Sequence, residues 1–91
     1  MRKYYEVIEK VRRSADSVWY AGFSLDDALK EFYASCVYSD KYTKKIELRE
    51  YELDDVEFNL DDESELAKAL FSNDRFNIVK EEKLWESKLL F

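Results

Sequence analysis

Residues 24–37 read SLDDALKEFYASCV and carry the clearest structural signal in the chain. Ser24 precedes Asp27 by three positions, which is the spacing of a capping box at the first turn of a helix. The apolar residues that follow recur at three- and four-residue intervals and share one helix face. They are Leu25, Ala28, Leu29, Phe32, Cys36 and Val37. The sequence therefore predicts a helix over 25–37 with one buried face.

A second, shorter helix is predicted over 62–72. Asp62 can cap its first turn, and Glu65 follows three residues later. Its buried stripe is predicted to be Leu66, Ala67, Leu70 and Phe71. Capping also explains the paired carboxylates at the two helix starts better than the acid–base chemistry of a glycosidase does.

Two N-terminal segments are predicted to pair as a hairpin. Residues 17–22, SVWYAG, are rich in side chains favoured on a pleated surface. Residues 4–12 fit helical spacing as well as alternation, and Glu9 interrupts the alternation. We favour a strand, because residues 14–17 would then turn it back onto the 17–22 strand.

The segment between the helices, residues 44–60, also alternates like a strand. Its apolar phase changes near Arg49-Glu50, which predicts a β-bulge. Asp54-Asp55 is predicted to turn the chain between two strands of a hairpin. Residues 76–79 open like a further strand, whereas 81–91 fit both its continuation and a terminal helix.

These elements predict a single α+β domain over residues 1–91. Its core is an antiparallel sheet of three to five strands, and both helices are expected to pack on one face of it. A chain of this length buries roughly 60–70% of its unfolded surface, which suffices for one core.

The composition excludes several classes of chemistry. The chain has no histidine, one cysteine and one glycine. Serine–histidine and cysteine–histidine nucleophiles, imidazole–metal ligation and an internal disulfide are therefore ruled out. Gly-rich phosphate loops need several glycines and are ruled out as well. We predict no catalytic, cofactor-binding or metal-ligating residue, and the alternating oxygens of residues 55–61 lack the glycine and closing glutamate of a calcium loop.

The same composition indicates where the protein works. No apolar run approaches the ~18–20 residues that span a bilayer, and the N-terminus lacks the features of a signal peptide. With its single cysteine, the chain is expected to be cytoplasmic and to make no membrane contact.

The charge is concentrated in one segment. The chain carries a net charge of −6, but residues 47–65 hold ten acidic side chains against Arg49. Folded as a hairpin about 31 Å long, the segment would present one net charge per ~3.5 Å, close to the ~3.4 Å of a DNA strand. Five of its residues are the candidates for binding a basic protein surface: Glu50, Glu52, Asp54, Asp55 and Glu57.

The aromatic residues suggest a second kind of contact. They make up 16% of the chain, more than one small core hides. Tyrosine and tryptophan suit half-exposed interface positions, so Trp19 and Tyr20 are also candidate interaction residues. A homodimer seam would account for the same surplus. Direct binding of nucleic acid is not expected from an acidic chain whose basic pairs are only Arg12-Arg13 and Lys44-Lys45.

In size and composition the chain resembles the short, acidic, proline-poor accessory proteins of phages and other mobile elements, although it carries no diagnostic motif. The leading hypothesis is a non-enzymatic protein-interaction module with an accessory role. One alternative is an acidic nucleic-acid mimic that inhibits a DNA-processing or defence enzyme by occupying its basic groove. A second alternative is an enzyme in which Asp and Glu alone perform the chemistry.

Overall fold

A computed structural model describes residues 1–73 and 75–83. Four strands form one antiparallel sheet in the order β2-β1-β3-β4, and two helices accompany it. This confirms the predicted α+β class. The elements are β1 (Arg2–Val11), β2 (Ser17–Gly22), α1 (Leu25–Tyr38), β3 (Thr43–Leu53), α2 (Glu63–Ser72) and β4 (Asn77–Glu82).

β1 and β2 form the predicted hairpin, so the ambiguous segment 4–12 is a strand as far as Val11. Tyr20 pairs with Val7 and Val18 with Ile8, which leaves Trp19 as an extra residue in β2. Such a bulge re-aims side chains, and here Trp19 and Tyr20 both pack against the same hydrophobic cluster although they are adjacent in the chain.

Helix α1 begins as its sequence predicts. The Ser24 side chain accepts a hydrogen bond from the Asp27 amide at 3.2 Å. The buried side of the helix contributes Ala28 and Phe32 to a cluster, called here the α1 core. Its other buried members come from β1 and β3: Tyr5, Val7, Ile46 and Leu48. Leu25 and Val37, predicted on the same helix face as Ala28 and Phe32, are exposed, so the prediction was wrong at both ends of the helix.

Helix α2 packs on a second cluster, called here the α2 core. Asp62 caps this helix, as predicted, by accepting from the Ser64 amide at 3.0 Å. Ala69 is the buried residue of α2, and Leu66 and Leu70 are half-buried beside it. Ala67 and Phe71 of the predicted stripe are exposed, so the prediction was wrong at these two positions. The remaining buried members of the α2 core are Tyr4, Tyr51, Leu53 and Leu60.

The two cores lie on opposite faces of the sheet. Tyr4 and Tyr5 are successive residues of β1, so their side chains point to opposite faces. Tyr5 belongs to the α1 core and Tyr4 to the α2 core. We expected both helices on one face, but each of them instead covers a different face of the sheet.

This arrangement explains the change of apolar phase in β3. The strand buries Leu48 toward α1 and then Tyr51 toward α2. Its register with β1 runs unbroken from Lys45 to Leu53, so the phase changes because the covering helix changes. A bulge does occur at Leu48/Arg49, but in the pairing with β4, where Val79 is the extra residue. The bulge predicted to flip β3 was therefore the wrong explanation.

The predicted second strand of the 44–60 hairpin does not form. Asp54 accepts hydrogen bonds from the amides of Val56 and Glu57 at 2.9 and 3.0 Å, and Asn59 accepts from that of Asp61 at 3.2 Å. These side chains satisfy the backbone locally and favour turns over a strand ladder. Residues 54–62 therefore cross to α2 in consecutive turns.

β4 confirms the strand predicted at 76–79, although it begins one residue later, at Asn77, and extends to Glu82. The question whether the end of the chain continues as a strand or a helix falls on residues 84–91, outside the described part. No helix among the described residues is both long and apolar enough to cross a membrane.

Candidate functional site

An open groove of about 510 Å³ is the candidate binding site. It lies between the end of β3, the turn that follows it, the last turn of α2 and the start of β4. Four of the five predicted acidic residues line it: Glu50, Glu52, Asp54 and Glu57. The fifth, Asp55, lies outside the lining, and its carboxylate contacts the Met1 amino group at 3.2 Å. The fold thus brings most of the predicted acidic set to one concave surface.

Two of the groove carboxylates have structural partners. Glu50 pairs with the Lys3 ammonium at 3.0 Å. Asp54 holds the turn after β3, and the amides of Glu57 and Val56 stabilise its charge and keep its pKa below the ordinary value. Both residues therefore shape the groove as well as lend it charge.

The other two are available for a ligand. Glu52 and Glu57 are exposed, and neither has an ion-pair partner within residues 1–73 and 75–83. The described cations that line the groove are the Arg75 side chain and the Met1 amino group. Four carboxylates against these two cations make the groove negative, and a cleft lined mainly by charges of one sign concentrates their field.

Part of the groove could not be found from the sequence. Asn73, at the end of α2, donates its side-chain amide to the Glu52 carbonyl at 2.8 Å and so joins the helix to β3. Arg75 and Phe76 follow it and complete the far wall. These residues are more than twenty positions from Glu52, and only the sheet order, which sets β4 beside β3, brings them there.

A polar chain of side chains crosses the α2 face beside the groove. The Tyr51 hydroxyl donates to the Glu6 carboxylate; burial first and this bond second raise the pKa of Tyr51 to about 12. Arg49 donates to Glu47 at 2.8 Å, and Lys45 lies 3.4 Å from the same carboxyl. Burial opposes the charge of Glu47, but Arg49 and Lys45 outweigh it and lower its pKa.

Trp19 and Tyr20 lie away from the groove, half-buried against the α1 core. The Trp19 indole donates to Glu9 at 3.0 Å, and its ring stacks on Tyr38. Thr43 donates to the other Glu9 oxygen, which explains how a glutamate fits a strand position where alternation calls for an apolar residue. The Tyr20 hydroxyl accepts from the Ser24 amide at 3.1 Å. Both aromatics thus have structural roles.

The remaining candidate chemistries have little support in the geometry. Burial raises the pKa of the half-buried Cys36 thiol, which disfavours the reactive thiolate. In the described part of the chain no three metal-ligating side chains are grouped so as to hold a metal ion. Comparison of the chain with protein-family models, with curated proteins and with solved structures found no match.

Proposed function

We propose that the protein is a non-enzymatic interaction module that binds a basic surface of a partner protein in its acidic groove. The supporting observation is that Glu50 and Glu52 on β3 and Asp54 and Glu57 in the following turn line one concavity. Two of these four carboxylates, Glu52 and Glu57, lack an ion-pair partner in the described part of the chain. A partner that brings lysines and arginines to them would neutralise the groove.

The partner class follows from the charge. Basic protein surfaces that normally hold nucleic acid present lysine and arginine spaced for phosphates, and a groove of carboxylates competes for the same groups. The even linear charge spacing expected of a hairpin does not apply, because residues 54–62 form turns. Competition would therefore rest on the groove and not on resemblance to a DNA strand. We place this accessory role in the cytoplasm.

A homodimer is the alternative partner arrangement. Several aromatic and aliphatic side chains of α1 and the following loop are more than half exposed: Tyr33, Val37, Tyr38 and Tyr42. They form no part of the acidic groove, so self-association and binding of a basic partner can be tested separately.

The carboxylate-dependent enzyme is less well supported. A general acid at neutral pH needs a raised carboxyl pKa. The two described carboxyls with a shifted pKa, Glu47 and Asp54, both shift downward and remain charged. Permanently charged carboxylates suit electrostatic binding better than proton transfer.

The test is a charge-reversal pair, Glu52→Lys with Glu57→Lys, matched to Asp26→Lys with Glu63→Lys, which makes the same charge change outside the groove. Partners are captured by crosslinking in cells and identified by mass spectrometry. We expect the groove pair to lose partners that the matched pair keeps, and rising salt to weaken the retained complexes. Equal capture by both variants would overturn the proposal.

A further inference from the structure

A second concavity of about 470 Å³ opens beside the acidic groove on the α2 face. Three aromatic side chains line it, Tyr51, Phe71 and Phe76, together with the Glu6 carboxylate. Asn73 and Phe76 line both concavities, so the two are adjacent. We call the second concavity the aromatic pocket.

The lining of the aromatic pocket suits an organic cation. Aromatic faces attract cations, and a nearby carboxylate adds a charged hydrogen bond. Glu6 accepts one bond from Tyr51, and a carboxylate has about four acceptor positions, so it retains capacity for a ligand. Arg49 also faces this region, but its charge is matched by Glu47 at 2.8 Å.

One ring of the aromatic pocket already contacts a guanidinium group, because Arg49 lies over the Phe76 ring, 4.4 Å from the centroid. Outside the pocket, Arg2 lies over the Phe23 ring at 3.9 Å. Phe71 is 93% exposed, although it lies two residues after the buried Ala69 in α2. An aromatic ring so placed at the mouth of a pocket is available to cover an inserted side chain.

We propose that the aromatic pocket receives one arginine side chain of the basic segment whose other cations occupy the acidic groove. This inference rests on the proposed function, because it names what the partner segment must contain. Arginine fits better than lysine, since its planar guanidinium stacks on rings, pairs with a carboxylate through two bonds and is more weakly hydrated. Binding should thus depend on an arginine and not on positive charge alone.

The test uses three synthetic peptides that share a lysine-rich frame and differ at one central position, occupied by arginine, lysine or citrulline. Citrulline keeps the shape of arginine without its charge. Affinities are measured by calorimetry at low salt. We expect the arginine peptide to bind about fivefold more tightly than the lysine peptide, in line with a partly exposed cation–π contact, and citrulline to bind weakest.

Variants separate the pocket from the groove. Phe71→Ala and Glu6→Gln should bring the ratio of the arginine to the lysine peptide's affinity close to one, and Tyr42→Ala, at another exposed aromatic, should leave that ratio unchanged. Circular dichroism checks that each variant is folded. Equal binding of the arginine and lysine peptides to the unmodified protein would overturn the pocket but not the groove. If no peptide binds to the unmodified protein, both proposals fail. If Glu52→Lys with Glu57→Lys weakens the binding of all three peptides equally, the acidic groove is supported independently of the aromatic pocket.

Discussion

Tyr4 and Tyr5 are neighbours in the chain and yet belong to different hydrophobic cores. Tyr5 lies in the α1 core with Phe32, and Tyr4 packs edge-on against Phe23, with ring centroids 5.1 Å apart, in the α2 core. One strand therefore supports both helices, and the stability of each helix can be perturbed from its own side.

The two cores should differ in how much of the fold depends on them. Phe32→Ala is expected to lower the free energy of unfolding by about 3–5 kcal/mol, because it empties the centre of the α1 core. Leu60→Ala should cost less and act locally, raising amide hydrogen exchange in α2 more than in α1. Urea denaturation and exchange mass spectrometry measure both effects. Equal exchange increases in the two helices after Leu60→Ala would contradict the separation of the cores.

Alkaline pH should act on the fold through Tyr51. Its pKa is raised from 10.0 to about 12, first by burial and then by the Glu6 carboxylate. A raised pKa contributes stability that is full below the unfolded value and lost as pH rises through the folded value, here between about 10 and 12. Glu6→Gln should move the tyrosinate transition of this residue to lower pH, as followed by ultraviolet absorbance. Tyr51→Phe, which lacks the hydroxyl, identifies the transition.

Acid should act through Glu47. Its pKa lies below the ordinary 4.5, so the stability it contributes is present above that value and is lost as pH falls through the folded pKa. Glu47→Gln should lower the free energy of unfolding by about 3 kcal/mol at neutral pH, because the largely buried Arg49 guanidinium loses its charged partner. The cost should shrink toward pH 3. The exposed Glu52→Gln is the matched control, and an equal loss of stability in both variants would contradict the role of Glu47.

Gly22 should not tolerate a side chain while Tyr20 is in place. A Cβ at this position would lie 2.6 Å from the Tyr20 hydroxyl oxygen and 2.9 Å from the adjoining ring carbon. Gly22→Ala is therefore expected to displace the ring, break its bond with the Ser24 amide and cost about 1–2 kcal/mol. In a Tyr20→Ala background the same substitution should cost little, and thermal denaturation of the double-mutant cycle measures the coupling.

Arg13 should be the position at which glycine stabilises the protein. It is exposed in the β1–β2 turn and has a φ of 58°, a left-handed conformation that glycine adopts without steric cost. Arg13→Gly should raise the free energy of unfolding by about 0.5–1 kcal/mol. Arg12→Gly, at the neighbouring position, should lower the stability. The Arg12 amide donates to the Tyr42 carbonyl at 2.8 Å, and glycine would increase the backbone freedom of this bonded residue. Chemical denaturation of both variants decides the matter.

The elements that the sequence predicted well are those with local causes. The Ser24 cap and the spacing of Ala28 and Phe32 define α1 without reference to the rest of the chain. The second hairpin strand was wrong because alternation over Val56, Phe58 and Leu60 resembles a strand, whereas the Asp54 and Asn59 side chains bond the backbone into turns. Local side-chain bonding prevailed over periodicity.

The candidate site was predictable on one side only. The cluster of Glu50, Glu52, Asp54 and Glu57 is continuous in sequence, and their shared charge marked them. No sequence pattern indicates Phe71 and Phe76 as binding residues, because their position in the site depends on where α2 and β4 lie against β3. Long-range placement of this kind requires the sheet order and cannot be read from spacing.

The first half of β3 packs against α1 and the second half against α2, and this arrangement also stabilises the alignment of β3 with β1. A shift by one residue turns every side chain of a strand to the opposite face. Here such a shift would replace Ile46 and Leu48 with charged neighbours under α1, and at the same time replace Tyr51 and Leu53 with Glu50 and Glu52 under α2. A shift of β3 by one residue therefore removes both cores together, so each helix opposes the same misalignment.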